Sequence, residues 1–221
     1  MRTSPYFFYL AVVDILYSNL FATTYILKDE KSNDAIVIDP GDNTSSRLVN
    51  HIHKIGVNIV AILLTHAHYD HITALEDVVN AFPNATTYIS EDEIDILAEP
   101  KFNLSNFCEK KLRFVPGNII ALTDNEEFCL LGKTFIMIKT PFHTKGSACF
   151  YVKEDKILFS GDTLFYSSIG RTDLPSGSEK TVSNSLKKLI TLPKETIVYP
   201  GHGRKTTLER EIKYNTYLKY L

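Results

Sequence analysis

The sequence contains no tryptophan, two methionines and only three cysteines among 221 residues. Cys108, Cys129 and Cys149 form no C-x-x-C pair, and their number is odd, so they predict free thiols in a reducing compartment rather than disulfides or a sulfur-rich metal site. A basic excess is also missing, because 24 Lys and Arg face 26 Asp and Glu. Proteins held on nucleic acid by phosphate contacts usually carry such an excess. We therefore expect no nucleic-acid partner.

The chain also lacks a long uncharged stretch. The longest segment without Asp, Glu, Lys or Arg, residues 55–69, is too short to span a bilayer as a helix, so no membrane partner is expected. Residues 1–13 combine Arg2 with an aromatic and β-branched run, which is typical both of signal peptides and of first strands. Because no convincing cleavage site follows, we favour a strand in a cytoplasmic protein, with secretion or an organelle as the alternative.

What is present is an ordinary globular composition, with 44% hydrophobic and 23% charged residues. Apolar periodicity predicts strands at 6–16, 22–27, 35–38, 57–64, 86–89, 119–122, 128–131, 134–138, 148–152, 157–160 and 196–199. It predicts helices at 44–55, about 72–82, after a capping box at 90–93, 178–190 and 207–221. This alternation indicates one α/β domain over residues 1–221, built as a layered sandwich.

A histidine-rich segment, T-H-A-H-Y-D-H at 65–71, follows a predicted strand and precedes a helix. A loop at that junction points side chains into a crevice at the carboxyl end of the strand. His66, His68, Asp70 and His71 offer imidazole and carboxylate donors, which suit Zn, Fe or Mn, and the absence of sulfur argues against a closed structural zinc site. Four ligands packed this tightly cannot easily converge on one ion, so the spacing indicates two ions that share the loop.

Three further candidates occur later in the chain, each beside a glycine-containing turn after a predicted strand. They are His143, Asp162 and His202. Each by itself is typical of an ordinary loop, but together with the first segment they become candidate metal ligands.

These residues, in this order, resemble the metallo-β-lactamase superfamily, and within it the short, single-domain glyoxalase II-like (hydroxyacylglutathione hydrolase-like) proteins. The resemblance covers nearly the whole chain and implies an αββα fold, in which two packed β-sheets carry helices on their outer faces. The ligands that it implies are His66, His68 and His143 for one ion, Asp70, His71 and His202 for a second, and Asp162 as the bridge. The expected cofactors are two divalent ions, zinc first, with iron or manganese as alternatives.

The activity that the resemblance implies is hydrolysis of a thioester such as S-D-lactoylglutathione. Two neighbouring ions lower the pKa of a shared water from 15.7 towards about 7, which supplies hydroxide at neutral pH. Asp70 and Asp162 are the predicted catalytic residues, and Arg171 is the predicted contact to a substrate carboxylate, since a guanidinium suits that group. A pair between Arg171 and Asp173 is the structural alternative. Asp39, in an Asp-Pro-Gly turn, is the candidate that orients an imidazole, and a purely structural turn is the alternative. A homo-oligomer is compatible with the sequence.

Departures from the family pattern define the alternatives. Asp162 stands where the commonest zinc β-lactamases have cysteine, which disfavours antibiotic hydrolysis. Phe142 and Lys145 replace a glycine and a proline beside the third histidine. Phe142 is expected to narrow the mouth of the site and Lys145 to add a positive rim, with neutral drift as the alternative for both.

The main alternative activity is a persulfide dioxygenase with one iron on His66, His143 and Asp162. The G-R-T-D sequence at 170–173 favours it, whereas Ile169, where cysteine is common in that family, disfavours it. A lactonase or a nuclease of the same superfamily is less favoured.

Overall fold

In the computed structural model, the described residues are 11–16, 22–29, 31–41, 46–219 and 221. Residues 1–10, which hold most of the candidate targeting segment and the start of the first predicted strand, lie outside them, as do residues 44–45 of the first predicted helix. The strands are β1 (Ala11–Leu16), β2 (Thr24–Lys28), β3 (Asp34–Ile38), β4 (Asn58–Leu64), β5 (Thr86–Ser90), β6 (Ile119–Leu122), β7 (Glu126–Leu130), β8 (Lys133–Lys139), β9 (Ala148–Val152), β10 (Ile157–Gly161), β11 (Leu164–Phe165), β12 (Ser168–Ile169), β13 (Ile197–Pro200) and β14 (Thr206–Thr207). The α-helices are α1 (Arg47–Ile55), α2 (Tyr69–Ile72), α3 (Leu75–Ala81), α4 (Ile94–Ala98), α5 (Val182–Leu189) and α6 (Leu208–Tyr214).

Two six-stranded sheets organise these elements. The first has the order β1-β2-β3-β4-β5-β6 and the second β14-β13-β10-β9-β8-β7, while β11 and β12 form a separate small hairpin. Strands β3 to β6 run parallel to one another, and β10 runs parallel to β13. Parallel neighbours need crossover connections, and the crossovers between β3, β4 and β5 contain α1, α2 and α3.

Alternating apolar side chains make both sheets two-faced. Along β3, Ile36 and Ile38 face the core between the sheets, whereas Ala35 and Val37 belong to the core on the side of α1 and α3. In the second sheet, Phe150 of β9 lies in the core between the sheets and Tyr151 packs into a third core with α5 and α6. Because a strand turns alternate side chains to opposite faces, three apolar layers form and separate helix, sheet, sheet and helix. The predicted αββα architecture is confirmed.

The ends of several strands meet at one edge of this sandwich. The histidine-rich segment follows β4, Asp162 follows β10, His202 follows β13, and His143 lies in the connection from β8 to β9. Asp39 follows β3 at the same edge, where its backbone N–H donates to the Leu63 carbonyl at 3.0 Å. The topology therefore gathers distant parts of the chain at this edge.

Several predicted elements differ from the observed ones. The prediction of a capping box at 90–93 is wrong. A 3-10 turn, Glu91–Glu93, precedes α4, and Ser90 makes no side-chain cap hydrogen bond. The helix predicted from 72 to 82 is divided into α2 and α3, and the closing helix predicted for 207–221 is only α6. Helix propensity and apolar spacing do not include the contacts that stop a helix early. Within the described ranges, the helices lack the combination of length and apolar character needed to cross a membrane.

Candidate metal centre

The segment T-H-A-H-Y-D-H is fixed through its first residue. The backbone N–H and the hydroxyl of Thr65 donate to the two oxygens of the Asp39 carboxylate at 2.8 and 2.7 Å, and the Thr65 carbonyl accepts from the Ala148 N–H at 2.9 Å. His66 and His71, like His68, are buried. Charged or polar side chains are rarely buried in this number without mutual or ligand contacts, so the segment has the character of a site rather than of a surface loop.

The predicted ligands come together in three overlapping groups. In each group, one donor atom from every member lies within 4.8 Å of the others. The groups are His66, His68 and His143; His66, His71 and Asp162; and Asp70, His71 and His202. The first and third groups have the membership implied for the two ions, although ligation itself stays a prediction.

Asp162 lies between the two histidine groups. Its Oδ1 is 3.3 Å from His71 Nε2 and 3.6 Å from His202 Nε2, whereas its Oδ2 is 3.4 Å from His143 Nε2. The two oxygens of one carboxylate thus face different groups, which is the geometry that a bridging ligand needs.

Unpartnered buried atoms test whether a metal fits here. His66 Nε2 and His68 Nε2 are buried and have no hydrogen-bond partner, whereas His71 Nε2 and Asp162 Oδ1, 3.3 Å apart, are buried and form no well-directed hydrogen bond. Leaving such atoms unpaired is costly, and imidazole nitrogen and carboxylate oxygen are donors that divalent transition metals accept. The residues therefore fit divalent metal ions.

The opposite nitrogens of three imidazoles have fixed partners. His71 Nδ1 is 3.0 Å from Asp39 Oδ2, His66 Nδ1 is 3.2 Å from Thr65 Oγ1, and His143 Nδ1 is 2.9 Å from the Arg171 carbonyl. Such contacts select the tautomer and leave Nε2 as the donor for a metal. The prediction that Asp39 orients an imidazole is confirmed.

Burial and neighbouring charges set the protonation of the cluster. Burial lowers the pKa of His66 and brings that of His68 to about 3, with further lowering from the surrounding histidines, so both are neutral at pH 7. Burial by itself raises the pKa of Asp162. The neighbouring histidines, His71 first, lower this pKa by more than burial raises it, so the carboxylate is ionised. Neutral imidazole and ionised carboxylate are the forms that bind metals.

His71 and His202 behave differently. Burial lowers the pKa of His71, but the carboxylates of Asp70, Asp39 and Asp162 together raise it well above its usual value. The pKa of His202 is likewise raised, since the hydrogen bond to Asp70 and the charge of Asp162 outweigh burial. His71 therefore carries a proton in the protein without metal, and metal binding has to release it.

The predicted substrate contact lies beside the metal ligands and is already paired. The Nε and Nη2 atoms of Arg171 donate to the two oxygens of Asp173, each at 2.7 Å, and both side chains are more than half exposed. Arg171 also lines an open cavity of about 580 Å³ with Glu179 and Tyr217. The structural alternative for Arg171 is thus realised, and a role in substrate binding stays a prediction.

Phe142 does not narrow the mouth of the site, so that expectation is wrong. Its side chain is fully buried in the core between the second sheet and helices α5 and α6, because the backbone turn at 140–143 directs it inward. Lys145 is exposed at the rim, where its Nζ is 3.5 Å from an Asp95 oxygen.

Sequence reasoning missed Glu93, whose carboxylate is fully buried beside the metal ligands. It accepts hydrogen bonds from Ala67 N at 2.7 Å, Thr144 Oγ1 at 2.5 Å and Gly146 N at 3.0 Å. Burial raises the pKa of Glu93 to about 7 against the lowering effect of these bonds. The available signal was its position: an acidic residue that follows β5 at the same sheet edge as the ligands.

Similarity to known proteins identifies the family of this chain. The sequence profile of the metallo-beta-lactamase superfamily matches residues 18–202, a range that includes all seven candidate ligands. The chain belongs to this superfamily. A probable metallo-hydrolase of Streptococcus pyogenes is 37% identical over 202 residues, which are 88% of this chain and 84% of the relative. The hydroxyacylglutathione hydrolase GloC of Haemophilus influenzae is 34% identical over 201 residues, 87% of this chain and 90% of the relative.

Solved structures give two further comparisons. The crystal structure of BLEG-1, a B3 metallo-beta-lactamase, has a TM-score of 0.84 and 33% identity, and covers 92% of this chain and 97% of its own. The crystal structure of TTHA1623 in a di-iron-bound form has a TM-score of 0.81 and 32% identity, and covers 93% of this chain and 100% of its own. The protein is a metallohydrolase of this superfamily, with a His and Asp cluster suited to divalent metals.

Proposed function

We propose that the protein is a dinuclear metal hydrolase that cleaves a thioester such as S-D-lactoylglutathione. The observation that carries the proposal is Asp162, whose two oxygens face two separate ligand groups. The 34% identity to a hydroxyacylglutathione hydrolase supports the substrate class. Zinc is the metal that we propose first, and the similarity to a di-iron-bound protein gives iron comparable support.

The chain's own residues prepare this reaction. His66, His68 and His143 would hold one ion, and Asp70, His71 and His202 the other, with Asp162 shared. Ions bound there supply a water of lowered pKa and a Lewis acid for the thioester carbonyl.

Asp70 has the more accessible carboxylate of the two predicted catalytic residues. Its side chain is 30% exposed, whereas that of Asp162 is 11% exposed, and its Oδ2 lies 3.0 Å from His202 Nε2. An ionised carboxylate at the solvent side of the cluster accepts a hydrogen bond from an incoming water and orients it towards the substrate. A thiolate is a good leaving group, so no strong general acid is required.

The decisive experiment measures hydrolysis of S-D-lactoylglutathione by the metal-loaded protein and by Asp162→Ala. We expect turnover in the parent protein and its loss in the variant, together with less bound metal. Asp155→Asn is the matched control, because it also alters a buried carboxylate. Asp155 pairs with Lys133 at 2.9 Å and lies in the turn between β9 and β10, at the edge of the sandwich opposite the ligands. Full turnover in Asp162→Ala would contradict the two-ion mechanism.

Substrates other than thioesters test the substrate class. The similarity to BLEG-1 makes a β-lactam the first comparison substrate. Hydrolysis of the β-lactam but not of the thioester, by protein shown to contain two ions, would contradict the thioesterase proposal and retain the metal site.

A persulfide dioxygenase is the second candidate function. Asp162 Oδ2 lies 3.4 Å from His143 Nε2, and the His143 ring lies 4.8 Å from the His66 ring, so the three residues that a single iron would use are neighbours. Iron near one per chain, with oxygen uptake that depends on a persulfide, would favour this candidate over the hydrolase. We propose a small-molecule substrate in either case, with no nucleic-acid partner.

A further inference from the structure

Each candidate ion has a buried carboxylate behind its ligands. Asp39 contacts a ligand directly, through His71 Nδ1 at 3.0 Å. Glu93 instead accepts hydrogen bonds from two backbone N–H groups and one hydroxyl, which belong to the two loops that carry the ligands of the first group. The two carboxylates therefore act on the cluster in different ways.

The partners of Glu93 lie next to the three ligands of the first group. Its Oε2 accepts from the N–H of Ala67, which stands between His66 and His68, and its Oε1 accepts from Thr144, which follows His143. The two loops are far apart in sequence, yet His68 Nδ1 and His143 Nε2 are only 2.9 Å apart. A single carboxylate thus joins the loops that must converge on one ion.

The packing around Glu93 leaves it little freedom. A Cβ atom at Gly146 would lie 2.8 Å from Glu93 Cγ and 2.8 Å from Oε1, so only glycine permits this close approach. The Gly146 N–H completes the hydrogen bonding of Oε1 at 3.0 Å. Thr144 Oγ1 is also 2.6 Å from Ser147 Oγ, which fixes the hydroxyl on its other side.

We propose that Glu93 is a positioning residue that sets the distance between the His66–His68 loop and His143, and thereby the metal affinity of that group alone. The inference rests on the two-ion site of the proposed function and does not depend on which ester is cleaved. The second group is outside its reach, because Asp70, His71 and His202 are held through Asp39 and through the loop after β13.

Glu93→Gln tests this inference with almost no change in volume. A carboxylate accepts at both oxygens, whereas an amide accepts at one and donates at the other. If the amide nitrogen replaces Oε2, it faces the Ala67 N–H; if it replaces Oε1, it faces the Gly146 N–H. In either orientation one backbone donor loses its acceptor, so the two loops separate.

The measurement weakens one ion site at a time. His202→Ala removes a ligand of the second ion and keeps the group of His66, His68 and His143 complete, whereas His143→Ala removes a ligand of the first ion and keeps the group of Asp70, His71 and His202 complete. The affinity of each for Zn²⁺, in competition with a chromogenic chelator, is then compared with and without Glu93→Gln. We expect a loss of about 10- to 100-fold in the His202→Ala background, the usual effect of outer-shell partners, and no change in the His143→Ala background.

Three outcomes are informative. An equal loss in both backgrounds, or no loss in either, would overturn the positioning role. Absence of Zn²⁺ binding in both backgrounds with Glu93 intact would overturn the two-ion proposal and this inference with it.

Asp155→Asn, which alters a buried carboxylate far from the cluster, is expected to leave both affinities unchanged and controls for general destabilisation.

Thr144→Val is the second variant, for the case in which Glu93→Gln does not fold. It removes one donor to Oε1 and keeps the side-chain shape, so we expect a smaller loss, in the same direction and again only in the His202→Ala background. Unchanged affinity there would contradict the inference independently of Glu93.

Discussion

Asp39→Asn is expected to weaken metal binding at Asp70, His71 and His202 through the tautomer of one imidazole. The Asp39 carboxylate accepts from Thr65 N and Thr65 Oγ1, and its Oδ2 lies 3.0 Å from His71 Nδ1. If the amide nitrogen of asparagine replaces Oδ2, it donates to His71 Nδ1. The ring proton then moves to Nε2, and the atom that should bind metal becomes a donor of a hydrogen bond.

The opposite amide orientation leaves His71 Nε2 free to bind metal, so the free-energy cost of that orientation sets the size of the loss in affinity. It keeps an oxygen beside His71 but places the amide nitrogen against the Thr65 N–H, which in the parent protein donates to Asp39 Oδ1 at 2.8 Å. A buried backbone N–H without an acceptor costs about 1–3 kcal/mol. Because 1.4 kcal/mol corresponds to a factor of ten, the fall in affinity is roughly 5- to 150-fold.

The assay is Zn²⁺ affinity by chelator competition in the His143→Ala background, where this group stays complete and the first group has lost a ligand. We expect the loss there, and little change in the His202→Ala background, which is the reverse of the Glu93→Gln pattern. Thermal unfolding of the metal-free variant measures the separate effect on stability. Parent-like affinity in a folded Asp39→Asn protein would refute the tautomer argument.

Three further predictions concern the substrate loop, the core and pH. Arg171→Ala should raise KM for S-D-lactoylglutathione without a change in Tm, because the ion pair between Arg171 and Asp173 is exposed. Asp173→Ala should lower KM, because it releases the Arg171 guanidinium. An unchanged KM in both variants would exclude Arg171 from substrate binding. Phe142→Ala should lower the free energy of unfolding by about 3–5 kcal/mol, as for other buried aromatics, and a variant with parent-like stability in denaturant titration would contradict its place in the core. The pKa of His68 is about 3 in the folded protein, below its unfolded value, so its contribution to stability is present above about pH 6.5 and is lost as pH falls. His68→Gln should therefore make the acid-side stability profile of the metal-free protein shallower, by up to about 1.4 kcal/mol per pH unit, and an unchanged slope would contradict the lowered pKa.

Local patterns were sufficient for much of the fold and for the candidate ligands. Alternating apolar residues such as Ile36 and Val37 predicted β3 within one residue, because each side chain's face depends only on its position in the strand. Longer-range effects were not predictable in this way. The capping box at 90–93 matched a local rule, yet burial turned Glu93 towards Ala67 and Thr144 instead. The direction of Phe142 likewise depends on a turn and on a core formed by distant elements.

The sequence by itself determined which donors are available and their order along the chain, because only a few side chains bind divalent metals and three histidines fall within residues 66–71. The tertiary structure decided how those donors converge. It brought His143 within 2.9 Å of His68 across 75 positions, turned the two oxygens of Asp162 towards different groups, and paired Arg171 with Asp173. These distances follow from sheet order and from the meeting of strand ends at one edge, which are properties of the packed chain and not of any short segment.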